Sequence, residues 1–150
     1  MKILLISPTS GGIGGIAQHV DGLSQFLTVS GHQVDVISSA NTLTVPIKRL
    51  KNPSFMLSSF LKTKFKKDKD IVHSHHITGA PAMKNFSCKK ILSIHGIYSK
   101  NIAQLYGKTT SSLSKKYEKT ALNLADAITV NSKEGYDYYT EMGFNGVQIP

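Results

Sequence analysis

The stretch KILLISPTSGGIGGIAQHV (2–20) joins a short apolar run to a helical pattern through a glycine-rich turn. KILLIS (2–7) predicts a buried β-strand. From Gly15 the apolar residues recur with helical spacing, which predicts a helix to about Ser30, and Gly31 suits the cap that ends it. The stretch therefore predicts a strand, a loop and a helix in immediate succession.

The loop between this strand and helix is unusually rich in glycine. Four glycines stand within five positions: Gly11, Gly12, Gly14 and Gly15. Glycine allows another group to come close to the backbone, and the free amides at a helix start attract phosphate. We therefore interpret the loop as a binding site for an anion. The alternative is a tight strand–helix crossing that binds nothing.

Apolar runs and helical patterns alternate along the rest of the chain. Further strands are predicted at 33–39, 70–76, 89–95 and 127–130, and further helices at 54–65, 79–86, 111–127 and 133–142. This alternation predicts an α/β fold with a doubly wound, mostly parallel sheet. Ligands of such sheets bind beyond the carboxyl ends of the strands. The glycine loop, HSHH (73–76), IHG (94–96) and NSK (131–133) are all expected at that edge.

Composition indicates one folded domain. The chain has 150 residues, 40% hydrophobic content and a single cysteine, Cys88, which allows no internal disulfide. The N-terminal apolar run is too short for a signal peptide, and no stretch approaches the roughly 20 apolar residues that span a bilayer. We therefore expect a cytoplasmic location.

The net charge of +9 is uneven and favours an anionic partner. Much of the excess lies in IKRLK (47–51) and KTKFKKDK (62–69). Lysines at the end of the 54–65 helix, together with the nearby Phe55, Phe60 and Phe65, predict contact with an anionic membrane surface, at its inner face. No nucleic-acid recognition motif is present, so we expect no nucleic-acid partner. A solvated basic face is the simpler alternative.

Two cofactor hypotheses receive little support. GIGGIA (12–17) matches a dinucleotide-binding pattern, but the acidic residue expected at the end of the second strand is missing, since Asp35 lies within that strand. An NAD(P)-dependent oxidoreductase domain therefore remains an alternative, as does a non-catalytic binding module. His73, His75 and His76 lack a local third ligand, so no metal site is expected.

Five segments in order resemble the N-terminal half of the family 4 retaining glycosyltransferases of GT-B fold. They are GGIAQHV (14–20), SGHQVDVIS (30–38), DIVHSHH (70–76), ILSIHG (91–96) and ADAITVNS (125–132). The resemblance implies a Rossmann-like domain of a hexosyltransferase that moves a sugar from a nucleotide-sugar to an unidentified acceptor with retention of configuration. It also implies a C-terminal nucleotide-sugar domain beyond this sequence, so that the chain alone would be inactive, and no metal or other cofactor.

The resemblance also implies roles for particular residues. His95 would contact the transferred sugar and stabilise the transition state, and Gly96 belongs to the same motif. His75 would line the acceptor side. The loop residues Gly12, Gly14 and Gly15 would approach the donor diphosphate, which Ser132 and Lys133 would also receive at a helix start. An ordinary helix N-cap is the simpler role for Ser132.

Overall fold

A computed structural model describes residues 1–47, 50–66, 68–106 and 111–149. The strands are β1 Lys2–Ile6, β2 Gln33–Ile37, β3 Ile71–Ser74, β4 Lys89–Ile94, β5 Ala127–Val130 and β6 Val147–Gln148. The α-helices are α1 Gly15–Val29, α2 Lys51–Thr63, α3 Tyr98–Tyr106, α4 Ser111–Leu122 and α5 Lys133–Glu141, and a 3₁₀ helix spans Ile77–Asn85. Lys48, Arg49 and Lys67 of the predicted basic segments lie outside the described residues.

The strands form one parallel sheet in the order β2-β1-β3-β4-β5-β6. The chain moves outward from β1 to β2 and then crosses back over β1 to β3, so the strand order reverses between β1 and β3. This topological switch point opens a crevice at the carboxyl edge of the sheet. The predicted α/β fold with a doubly wound parallel sheet is confirmed.

The two faces of the sheet are covered unequally. Because β-α-β crossovers are right-handed, the reversal at β1 sends α1 to one face and the later helices to the other. The packing agrees with this rule. Val20 of α1 packs with Ile3 and Leu5 in a small cluster, whereas a larger core joins Phe55 of α2 and Tyr139 of α5 to the opposite face.

Several predicted elements differ from those observed. Helix α2 starts at Lys51, not at residue 54, because Pro53 fits in the first turn, where its missing N–H is not needed. Helix α3 was not predicted, although Tyr98, Ile102 and Leu105 recur in it with helical spacing. Phe55, one of the phenylalanines expected near a membrane face, is fully buried.

Glycine is required at one close approach in the core. A Cβ at Gly79 would lie 2.4 Å from the Ser74 hydroxyl oxygen and 2.8 Å from Cγ2 of Ile6. The 3₁₀ helix can therefore lie against the ends of β1 and β3 only because residue 79 has no side chain. In the described part of the chain, no helix is both long enough and apolar enough to cross a membrane.

Candidate functional site

The glycine loop leaves the amino end of α1 open. Gly14 caps α1 without a side-chain hydrogen bond, and the first turn contains no acidic residue. A Cβ placed at Gly14 or Gly15 would meet nothing within 4 Å, and neither residue has a positive φ. Neither internal packing nor backbone conformation therefore requires glycine at these two positions. This openness argues against a merely tight crossing and favours the approach of a ligand.

The first part of the loop is held against α1. Gly11 has a φ of +67°, and its N–H donates a hydrogen bond of 2.7 Å to the Asp21 carboxylate. The Ser39 hydroxyl, just beyond β2, donates to the carbonyl of Pro8. These contacts fix the entry of the loop and leave its later glycines exposed to solvent.

Four histidines meet beside the amino-terminal part of α1, and we call them the histidine cluster: His19, His73, His75 and His95. The His19 ring centroid lies 5.3 Å from that of His75 and 5.6 Å from that of His95. The His73 and His75 centroids are 3.9 Å apart. The topology explains why these rings lie close together. His19 lies on α1, which follows β1, His73 lies on β3, and His75 and His95 follow the carboxyl ends of the adjacent strands β3 and β4.

Burial keeps three rings of this cluster, those of His73, His75 and His95, uncharged. Desolvation, reinforced by the neighbouring histidines, lowers the pKa of His75 to about 2. Desolvation also lowers the pKa of His73 to about 4, and burial and then His19 lower the pKa of His95. Near neutral pH these rings are therefore neutral imidazoles, each of which can donate one hydrogen bond and accept another.

Several ring nitrogens of the cluster have no hydrogen-bond partner among the described residues. Both nitrogens of His75 and Nε2 of His95 are buried without a partner. Buried polar atoms in proteins are nearly always paired, so an unpaired set marks a site where a ligand or water completes the bonding. Within the described ranges, no three His, Cys, Asp or Glu side chains are placed to hold a metal ion.

A row of polar side chains crosses the sheet next to the cluster. Nε2 of His73 lies 2.7 Å from the Ser93 hydroxyl, which lies 2.6 Å from the Thr129 hydroxyl. These residues alternate along β3, β4 and β5 with side chains of the larger core, so they face the α1 side. These side chains form a polar surface where the site meets the sheet.

Three histidines of the cluster, His19, His73 and His95, line one cavity of about 700 Å³ together with Gly15 of the glycine loop, and we call it the carboxyl-edge pocket. Its wall is made by Gly15, Ile16, His19, Leu23, His73, Ser93, Ile94, His95, Thr129, Val130, Asn131 and Ile149. A second cavity of about 390 Å³ lies on the other side of the loop, where Gly12, Gly14 and Lys51 contribute to its lining. The glycine loop thus separates two cavities of ligand size.

The turn that carries His95 is held by hydrogen bonds from helices on the side away from α1. Gly96 has a φ of +127°, a conformation that side chains disfavour. The Tyr98 N–H donates to Oε1 of the buried Glu118 at 3.0 Å, and the Tyr139 hydroxyl donates to the same oxygen at 2.6 Å. Burial and this carboxylate raise the pKa of Tyr139, so its hydroxyl stays a donor. The turn is therefore anchored to α4 and α5.

The structure brings some of the expected site residues together and separates others. Gly15 and His95 line the carboxyl-edge pocket, with Gly12 and Gly14 just across the loop. Gly96 borders only a small adjoining hollow. His75 is fully buried behind His19 and His95, so its burial does not support the direct acceptor contact expected for it.

Ser132 and Lys133 stand beside the pocket rather than in it. The Ser132 hydroxyl accepts the Gly135 N–H at 3.1 Å, which makes it the N-cap of α5. The exposed Lys133 follows it. The pocket wall is formed instead by their neighbour Asn131. The ordinary capping role of Ser132 is confirmed, and a contact with phosphate stays a prediction.

Sequence reasoning missed His19 as a site residue. His19 is three residues after Ile16 and four before Leu23, so it belongs to the helix stripe that faces the sheet. A polar ring on that stripe, one turn from the glycine loop, was a usable signal. Ser93 and Thr129 gave no comparable signal, because their pairing depends on strand register.

Comparison with known proteins agrees with the order of motifs. No curated protein sequence matches the chain significantly. The family model of Glycosyltransferase Family 4 matches residues 13–149, which is nearly the whole chain and includes every residue that lines the carboxyl-edge pocket. The chain therefore belongs to Glycosyltransferase Family 4.

Proposed function

We propose that the carboxyl-edge pocket binds a nucleotide-sugar and that the chain serves transfer of its sugar to an acceptor. The observation that carries the proposal is the shared wall: Gly15, at the open start of α1, and the neutral ring of His95 line the same cavity. A site for a sugar diphosphate needs both an anion-binding site for the diphosphate and hydrogen-bonding groups for the hydroxyls of the sugar. Family membership supports glycosyl transfer as the reaction.

The start of α1 supplies the anion-binding site. Its first amides point out of the helix without a capping side chain, and the helix dipole adds positive potential there. Lys51 lines the cavity across the loop and adds a cation. During transfer the diphosphate gains negative charge as it leaves, so these groups stabilise the transition state more than the bound donor.

His95 supplies a hydrogen bond to the sugar. Its Nε2 is buried and lacks a partner among the described residues, so a sugar hydroxyl would complete its bonding. Because the pKa of His95 is lowered, the ring is neutral and can donate or accept. The buried ring of His75 packs against the His95 ring, with the two centroids 6.3 Å apart. We assign His75 to positioning rather than to acceptor contact.

The proposed reaction is transfer of a hexose with retention of configuration. The bond between the anomeric carbon and the diphosphate oxygen breaks, the acceptor oxygen bonds to the same face of the carbon, and its proton passes to the leaving diphosphate. No metal or other cofactor is assigned. The pocket is open, so we propose that a second, C-terminal domain closes it and excludes water, and that this chain alone does not catalyse transfer.

Titration of ¹⁵N-labelled protein with a panel of nucleotide-sugars, followed by NMR, tests the proposal. We expect at least one nucleotide-sugar to shift the Gly14, Gly15 and His95 signals with roughly millimolar affinity, because half of the proposed site is present. His95→Ala should weaken the effect, and His32→Ala, outside the cluster, should not.

The same titration with NAD and NADP distinguishes the alternatives. A stronger response to a dinucleotide would favour the oxidoreductase domain, although the Asp35 carboxylate is bound by Lys66 and Lys69 rather than free for a ribose. A response to nucleotide-sugars without transfer, even when a protein that includes the proposed second domain is assayed, would favour a non-catalytic binding module. No response to any nucleotide-sugar would contradict the proposal.

A further inference from the structure

Helix α2 has the reverse of the usual polarity of a surface helix. Its buried residues are Phe55, Ser59 and Thr63, two of which carry hydroxyl groups. An α-helix turns by about 100° per residue, which places Leu50, at the N-cap, and Leu57 and Leu61 on the opposite side. We call these three residues the α2 leucine face, and they are 49%, 60% and 47% exposed. A surface helix normally places its apolar stripe inward.

The orientation of α2 is fixed by satisfied hydrogen bonds on its inner side. The Thr63 hydroxyl donates to the Ser59 carbonyl at 2.9 Å and accepts from the Asn85 amide at 2.7 Å. The Ser59 hydroxyl donates to the Met56 carbonyl at 3.2 Å. Phe55 anchors the same side in the larger core. Rotating the helix to bury the leucines would expose Phe55 and break the Asn85 bond, so the leucines belong outside.

The segment around the α2 leucine face is cationic. Residues 36–67 contain seven Lys or Arg and no Asp or Glu. Lys66 is paired with Asp35, but Lys51, Lys62 and Lys64 form no ion pair with another described residue. Phe65, directly beyond the helix, is 90% exposed. The surface therefore combines outward leucines and a phenylalanine with lysines that form no ion pair with another described residue.

We propose that the α2 leucine face docks the protein onto an anionic lipid surface. Leucines on one stripe with lysines beside them are the composition of helices that lie in a membrane interface. The leucines enter the boundary of the acyl chains while the lysines meet anionic headgroups. A second copy of this chain would bring like charges together, so charge complementarity favours the lipid. The proposal does not depend on the identity of the donor or the acceptor.

Binding to vesicles tests the proposal. We expect the protein to co-float with vesicles of equal parts phosphatidylcholine and phosphatidylglycerol and much less with phosphatidylcholine alone. The double variant Leu57→Ser/Leu61→Ser should lower the partition coefficient about tenfold or more, and Lys62→Gln/Lys64→Gln should lower it severalfold. The matched control is Phe26→Ser/Val29→Ser on α1, where both residues are exposed but lie on the other side of the sheet.

A fluorescent reporter gives a second readout, because the sequence has no tryptophan. The emission of a Leu57→Trp variant should shift to the blue when anionic vesicles are added, and that of a Val29→Trp variant should not. Equal binding by the leucine and α1 double variants, with unshifted Leu57→Trp emission, would overturn the proposal. Lipid-free dimerisation that is abolished by Leu57→Ser/Leu61→Ser would overturn it in favour of a second copy.

Discussion

The two faces of the sheet use the same strands for different purposes. On the face covered by α2, α4 and α5, polar groups are mostly paired: the Ser59, Thr63 and Tyr139 hydroxyls all form hydrogen bonds, and only Oε2 of Glu118 lacks a described partner. On the α1 face, three histidine nitrogens lack one. Nearly complete hydrogen bonding of buried polar groups stabilises a fold, whereas buried polar groups without a partner beside a cavity indicate a ligand-binding site.

Acid should produce the largest effect and should act through the α1 face. Burial lowers the pKa to about 4 in His73 and to about 2 in His75. Below a pH of about 6.5 the same histidines take up protons in the unfolded chain, whereas in the folded chain they do not. The free energy of unfolding should therefore fall as the pH drops from about 6.5 to 4, by about 1.4 kcal/mol per pH unit for each such histidine. Urea unfolding at a series of pH values measures this.

The variant His75→Phe isolates one member of the cluster. It keeps an aromatic ring but cannot titrate, so the pH slope should decrease by about 1.4 kcal/mol per pH unit, whereas His32→Gln should leave the slope contributed by the cluster in place. Stability that is constant between pH 7 and 5 would contradict the described burial of the cluster.

Neighbouring residues of β4 compare the two faces directly. Leu92 is fully buried in the larger core, so Leu92→Ala should lower the free energy of unfolding by about 2–5 kcal/mol. Ser93→Ala removes hydrogen bonds to His73 and Thr129 beside a cavity that water can enter, and it should cost about 1 kcal/mol. Equal losses in denaturant titrations would mean that the faces do not differ.

The smallest effect on stability is expected at the glycine loop. At Gly15, the first residue of α1, an added Cβ meets nothing within 4 Å. Gly15→Ala should therefore leave stability unchanged or raise it by about 0.5 kcal/mol, because alanine favours the helix. The methyl group of the introduced alanine projects beside the proposed diphosphate-binding site and should weaken nucleotide-sugar binding. Thermal unfolding paired with the NMR titration separates the effects, and a clear loss of stability would show that packing requires this glycine.

The fold was largely predictable because its elements depend on local patterns. The start of α1 at Gly15, the Ser132 cap and strands β1 to β5 all followed from apolar periodicity and cap residues. The start of α2 was predicted wrongly because Pro53 indicated a loop, and α3 was missed although its apolar residues recur with helical spacing. Phe55 was grouped with the phenylalanines near a membrane face although it is buried, since composition does not determine how a helix is rotated about its axis.

By itself, the sequence determined an alternating α/β chain, a glycine loop at a helix start and the histidine-bearing motifs of its family, because each lies within a few neighbouring residues. Only the tertiary structure decided that His19 joins His95, that His75 is buried behind them, and that the leucines of α2 face outward. Those facts depend on strand order and helix rotation, which are set by contacts between residues far apart in the chain.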